Sequence, residues 1–204
     1  MFVNTGLTHG AVVLNWRNDP AREFTQVARA FHAVATECVA ALRKNSRFGL
    51  TAGEDYRAYP VVFLYRHALE LHLKAVLLAG SRMLSVKGQS PVKLFDTHCL
   101  DKLSKDLERV FEAYGWKWDL GTPHFRTLDA FRECIREFQT IDRGSYAFRY
   151  PVNKDGSGSV ESSFRFNLFK FCDILDELLP VLEDSAYLAS DLLQLNDEAH
   201  QGQS

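Results

Sequence analysis

The segment FLYRHALELHLK, residues 63–74, places one arginine and two histidines in one of the most apolar parts of the chain. Arg66 is a permanent cation whose planar fork of N–H donors suits a phosphate or a carboxylate. A histidine titrates near neutral pH and can act as a general acid or base. On a helix, Arg66 and His72 lie less than two turns apart. The segment therefore combines an anion-binding group with a proton-transfer group where the surrounding pattern predicts burial.

Helical geometry leaves two interpretations of these residues. Arg66, Glu70 and Lys74 are spaced i, i+4 and i+8, so they form one stripe. That stripe is a solvated ladder of ion pairs, or its polar groups are buried and either form a polar seam shared between subunits or bond internally. His72 lies about 120° away, on an apolar face that also carries Tyr65. On that face, a satisfied core histidine is an alternative to a catalytic one.

Arg66-His67, followed by four residues and His72, resembles the R-[NHD]-x4-H signature of HEPN domains, helical proteins of bacterial defence and toxin-antitoxin systems. The start of the third predicted helix at 97–103 and the five-helix layout are also similar to that family, over roughly residues 20–195. The resemblance implies an all-α, HEPN-like bundle. It also implies a homodimer whose two motif copies face one cleft, and for several branches a metal-independent endoribonuclease activity without a cofactor.

Under that resemblance, the catalytic residues are Arg66, His72 and His67, with Glu70 and Tyr65 in support. RNA cleavage without a metal needs a base for the 2′-hydroxyl, an acid for the 5′-oxygen and positive charge at the phosphate. His72 serves as base or acid, and Arg66 clamps the phosphate. His67 orients the site or contacts the substrate, while Glu70 holds the guanidinium or is simply its surface partner.

The loop segment DRGSYAFRYP mixes cations with aromatic rings, a combination that binds single-stranded RNA by charge and stacking. The candidate RNA contacts there are Arg143, Arg149 and Tyr150, although tyrosines in loops also pack routinely onto helices. No Lys or Arg follows Lys170, so the acidic C-terminal region is an unfavourable path for RNA.

Apolar residues recur at spacings of three and four in five segments, which predicts an all-α helical bundle of about five helices. We expect an irregular lead-in at 1–18, the helical domain at 19–195 and a flexible tail at 196–204. The expected helices begin or end at Pro20, Asn45, Pro60, Leu78, Thr97, Gly115, Phe125, Phe164 and Leu195, with Pro180 kinking or splitting the last one.

The chain has 204 residues, 46% of them hydrophobic, and a net charge of −2, so no global basic field attracts nucleic acid or an acidic membrane. Its four cysteines are far apart and without zinc-site spacing, which indicates reduced thiols in a cytoplasmic protein. No membrane span or secretory signal is expected. Glycine-rich phosphate loops, nucleophile elbows and H-E-x-x-H motifs are absent from the sequence.

The leading hypothesis is a HEPN-like, metal-independent endoribonuclease of phage defence or a toxin-antitoxin pair, with RNA as substrate. A cognate antitoxin or a nucleotidyltransferase is its candidate partner. The alternative is a non-catalytic helical module for dimerisation, partner binding or nucleotide binding, in which the motif is structural. A third possibility is a helical subunit of a larger assembly.

Overall fold

The computed structural model is an all-α bundle, as the sequence predicts. It describes residues 12, 19–45, 52–90, 92, 94–142, 144–160 and 164–201. In these residues there are five helices and no strand; a single antiparallel bridge joins Val152 to Gly158 in the loop after the fourth helix. The helices are α1 Pro20–Asn45, α2 Ala52–Val86, α3 Leu100–Tyr114, α4 Leu128–Ile141 and α5 Leu168–Gln201.

Helix α2 lies at the centre and packs against α1, α3 and α5, while α4 packs on α3. It occupies this position because its sequence is apolar on nearly every side, so each face needs a neighbour to cover it. Residues from Val61 to Ala79 are almost all buried. The polar side chains within this stretch are therefore held inside the bundle rather than on its surface.

Helix α2 is longer at both ends than the sequence pattern predicts. It begins at Ala52 instead of Pro60 and continues through Gly80 to Val86. A proline inside a helix lacks one N–H donor, but a single missing bond does not end a helix whose following turns are buried. At Gly80, an added Cβ would lie 2.5 Å from Cγ1 of Val110, so glycine allows α2 and α3 to approach closely.

The predicted caps are partly confirmed. Gly115 ends α3 in the left-handed conformation, with φ 70°, as expected of a C-terminal glycine. Helix α3 begins at Leu100, after Cys99, instead of at Asp96 or Thr97. Helix α4 begins after Thr127, whose hydroxyl accepts a hydrogen bond from the Ala130 N–H.

Helix α5 is one continuous element. It begins at Leu168, after the phenylalanine at 164 where we expected it to start, and contains Pro180 without being split. It reaches Gln201, so the tail predicted from residue 196 overlaps the helix, and residues 202–204 lie outside the described part. The lead-in at 1–18 also lies outside it, apart from residue 12. None of the described helices has an apolar run long enough to cross a bilayer.

Candidate functional site

Arg66 is completely buried, and three groups of the same chain surround its guanidinium. Its Nη1 donates to Oε2 of Glu70 at 2.8 Å, and its Nη2 donates to the backbone carbonyl of His98 at 2.7 Å. Its Nε lies 3.1 Å from Oδ2 of Asp142, an ion pair without the alignment of a hydrogen bond. The guanidinium therefore ties α2 to the segment before α3 and to the end of α4.

Glu70 is the central acceptor of this arrangement and is also buried. Its Oε1 accepts from Nζ of Lys74 at 2.9 Å and is 2.8 Å from Nδ1 of His98. Burial alone would raise the pKa of this carboxyl, but the hydrogen bonds from Lys74, His98 and Arg66 outweigh burial and lower it to about 2. Glu70 is therefore an anion throughout the physiological pH range.

We call Arg66, Glu70, Lys74, His98 and Asp142 the ionic cluster. Arg66 and Lys74 face the carboxylates of Glu70 and Asp142, and this pairing of opposite charges reduces the cost of removing them from water. The solvated ladder considered for the stripe is wrong, because its three members are at most 5% exposed. Only His98, with 58% of its side chain exposed, opens the cluster to solvent.

Asp142 joins the cluster to the following loop, and sequence reasoning missed it. Its Oδ1 accepts from the backbone N–H groups of Tyr146 and Ala147, at 2.6 and 3.0 Å, while Oδ2 faces Arg66. Ser145, which lies between Asp142 and Tyr146 in the chain, has a φ of 60°. This left-handed backbone conformation is unfavourable for a residue with a Cβ. An aspartate just after a helix, before Gly144, was the only local signal for this turn.

His72 is buried at 1% exposure but does not belong to the ionic cluster. It lies on the face of α2 that carries Tyr65, two turns earlier. Its Nδ1 is buried and has no hydrogen-bond partner among the described residues. Burial lowers the pKa of His72 to about 3, with a smaller contribution from the charge of His32. The ring is therefore neutral at physiological pH.

His67 lies between two phenylalanine rings. Its ring meets Phe31 edge-on, with centroids 4.5 Å apart, and stacks on Phe63 at 5.7 Å. Burial lowers its pKa, and its Nδ1 is a second buried nitrogen with no hydrogen-bond partner in the described residues. Of the three motif residues, Arg66 has a hydrogen-bond or ion-pair partner at each guanidinium nitrogen, whereas Nδ1 of each histidine has no hydrogen-bond partner among the described residues.

Tyr65 belongs to a separate polar contact between α1, α2 and α5. Its hydroxyl donates to Oδ1 of Asp176 at 2.8 Å, and Nε2 of His32 lies 2.6 Å from the same oxygen. Burial and the hydrogen bond to Asp176 raise the pKa of the tyrosine. The predicted support residues thus separate, because Glu70 accepts a hydrogen bond from Arg66 whereas the Tyr65 hydroxyl donates to Asp176 of α5.

Two of the three predicted RNA contacts lie together in a surface cleft of about 640 Å³, and Arg143 lies outside the described residues. The guanidinium of Arg149 covers the ring of Phe63, 5.1 Å from its centroid, and donates to Oγ of Ser145 at 2.9 Å. Tyr150 is 51% exposed, and its ring packs against that of Tyr146 with the centroids 4.7 Å apart and the planes tilted by 30°. We call this surface cleft the aromatic cleft. Its lining residues are Tyr56, Tyr59, Pro60, Phe63, Phe148, Arg149, Tyr150 and Pro151.

A second cavity, of about 250 Å³, lies between α2, α4 and α5 and is mostly apolar, with Phe138, Phe166 and Phe171 in its walls. In the part of the chain that the structure describes, no three His, Cys, Asp or Glu side chains group as metal ligands. All four cysteines are free thiols. Comparison of the chain with family models, with curated proteins and with solved structures gave no match.

Proposed function

We propose that this protein is a non-catalytic helical binding module, in which the Arg66/His67/His72 motif holds the bundle together. The observation that carries the proposal is the engagement of Arg66 within its own chain. The side chain is fully buried, its two Nη atoms donate to Glu70 and to the His98 carbonyl, and its Nε forms an ion pair with Asp142. To clamp a phosphate, the guanidinium would have to leave two carboxylates that neutralise it.

The environment of His72 supports the same proposal. A general acid or base works best with a pKa near the operating pH, whereas burial lowers the pKa of His72 to about 3. Such an imidazole is a very weak base at neutral pH. Arg66 and His72 also project from α2 in directions about 120° apart, so one phosphate does not readily meet both side chains.

The ribonuclease hypothesis and the homodimer stay predictions, and one experiment tests them together with the proposal. Purified wild type is incubated with structured and single-stranded RNAs in EDTA. The variants Arg66→Ala, His72→Ala and His72→Leu are treated in the same way, and the leucine variant fills the buried position with an apolar side chain. Exposed residues give matched controls, Arg126→Ala and His124→Ala. Light scattering reports the oligomeric state, and denaturant titration reports the free energy of unfolding.

We expect no cleavage by wild type. We expect Arg66→Ala to lower the free energy of unfolding by about 3–5 kcal/mol, because it leaves buried carboxylates without their cation. The two exposed controls should stay within about 1 kcal/mol of wild type, since His124 loses only an exposed ion pair with Glu177. EDTA-resistant cleavage that persists in His124→Ala and disappears in a folded His72→Leu variant would overturn the proposal in favour of the ribonuclease.

A further inference from the structure

The aromatic cleft has the composition of a surface that binds another molecule. One wall is a stripe of α2, since Tyr56, Tyr59, Pro60 and Phe63 are spaced i, i+3, i+4 and i+7. The other wall is residues 148–151 of the loop. Tyr56 is 75% exposed and Tyr150 51% exposed, so much of each ring is open to a ligand. Tyr59 and Phe63 are half-buried and Phe148 is buried, so the two tyrosines supply the exposed aromatic surface of the cleft. Exposed apolar surface of this kind is typical of interaction sites.

The loop wall is built with fixed geometry. Asp142, held by Arg66, accepts the N–H groups that form the turn at 145–147. Ser145 in that turn accepts a hydrogen bond from Arg149, whose guanidinium then rests on Phe63 of the opposite wall. The ionic cluster thereby positions Arg149 in the cleft. A preformed wall lowers the entropy cost of binding a partner.

The charged residues in and beside the cleft indicate which class of partner it binds. Arg149 is the only charged residue among those lining the cleft. Single-stranded RNA carries one negative charge per nucleotide and is usually held by a groove with several cations. Here Glu54, Asp55 and Arg57 lie beside Tyr56 along α2, which leaves one net negative charge there. One cation among aromatic rings instead matches a ligand with a single carboxylate.

We propose that the aromatic cleft binds a proline-rich segment of a partner protein in the polyproline II conformation, with an acidic residue paired to Arg149. Such segments dock in grooves lined by aromatic residues, and their low conformational entropy favours binding. Their carbonyl groups are free of internal hydrogen bonds and can accept from tyrosine hydroxyls. The inference rests on the proposed function, because it names the partner class of a non-catalytic binding module.

The test uses fluorescein-labelled dodecamer peptides with a P-x-x-P core, randomised at the x positions. One set carries an aspartate beside the core, a second carries asparagine there, and a third has alanine in place of each proline. Fluorescence anisotropy measures binding to the full chain, to Tyr56→Ala, Tyr150→Ala and Arg149→Gln, and to the charge-matched control Lys154→Gln, which lies outside the cleft lining.

We expect wild type to bind the aspartate set about threefold more tightly than the asparagine set, with that preference lost in Arg149→Gln and kept in Lys154→Gln. Each tyrosine variant should weaken binding about tenfold, as loss of an aromatic anchor typically does. All these positions are exposed at the surface, so the variants are expected to fold, and circular dichroism checks this.

Two results would overturn the inference. One is binding of the proline sets no tighter than the alanine set. The other is tight binding of a 12-nucleotide single-stranded RNA that requires Arg149 and Tyr150, which would make the cleft a nucleic-acid site. Neither result requires RNA cleavage in EDTA, so failure of this inference and failure of the proposed function are separate observations.

Discussion

Oδ2 of Asp142 lies 3.1 Å from Nε of Arg66, which links the loop after α4 to the central helix of the bundle. The same carboxylate closes the turn that leads to the aromatic cleft. One buried ion pair therefore supports both the packing of α2 and the shape of the surface where we place the partner.

Replacing Asp142 with asparagine tests this link. Asparagine keeps an oxygen that can accept the Tyr146 and Ala147 N–H groups, but it removes the negative charge that faces Arg66. We expect the free energy of unfolding to fall by about 2–4 kcal/mol, because a buried cation loses one counter-charge. Denaturant titration measures this loss. Asp129→Asn, with 92% of its side chain exposed, is the control and should change stability by less than about 0.5 kcal/mol.

Close approach of α2 and α3 predicts the effect of Gly80→Ala. The new methyl group would lie 2.5 Å from Cγ1 of Val110, a fully buried side chain, so we expect a loss of about 1–3 kcal/mol despite the better helix propensity of alanine. Calorimetry measures the change. In the double variant Gly80→Ala/Val110→Ala, the combined loss should be smaller than the sum of the single losses.

Gly53 in the first turn of α2 is the matched control, since no atom lies within 4 Å of an added Cβ there. Gly53→Ala should leave stability unchanged or raise it by up to about 1 kcal/mol, because alanine favours the helix. Equal losses at both glycines would contradict the steric explanation for Gly80.

The neutral state of His72 predicts a dependence of stability on pH. Its pKa is about 3 in the folded protein and near 6.5 when unfolded, so the unfolded chain binds the extra proton between these values. The stability that neutral His72 contributes should therefore be fully present above pH 6.5 and should fall as the pH drops towards 3. The contribution of His72 should approach about 1.4 kcal/mol per pH unit.

Denaturant titrations of wild type and His72→Leu at pH 7, 5.5 and 4.5 measure this contribution as the difference between the two slopes. Leucine cannot titrate, so its slope should be shallower. Glu70 is not expected to contribute in this window, because its lowered pKa matters only as the pH falls from about 4.5 to 2. Parallel slopes for the two proteins would show that His72 gains a proton in the folded state.

Cysteine reactivity tests the burial of the core. Burial raises the pKa of the buried Cys172 thiol and of the half-buried Cys134 thiol to about 12, while Cys38 is exposed on α1. At pH 8, iodoacetamide should modify Cys38 first and these two thiols on the order of 100-fold more slowly, because the thiolate is the reactive form. Peptide mass spectrometry identifies the sites. In guanidinium chloride all four cysteines should react at similar rates, and similar rates in the native protein would be inconsistent with this core.

The sequence alone determined the helical class, because apolar residues at spacings of three and four can be counted without coordinates. It also showed that Arg66, Glu70 and Lys74 share one face of α2, a consequence of helix geometry. It could not give the ends of α2 and α5, since Pro60, Gly80 and Pro180 are helix breakers in isolation and the packing around them overrides that preference.

Only the tertiary structure decided the surroundings of the motif. Asp142 and the His98 carbonyl reach Arg66 from distant parts of the chain, and no local pattern pairs such residues. The fold likewise left Nδ1 of His72 without a hydrogen-bond partner among the described residues and brought Arg149 onto Phe63. Periodicity specifies which face of a helix a residue occupies, but the packing of the other helices and loops determines what that face meets.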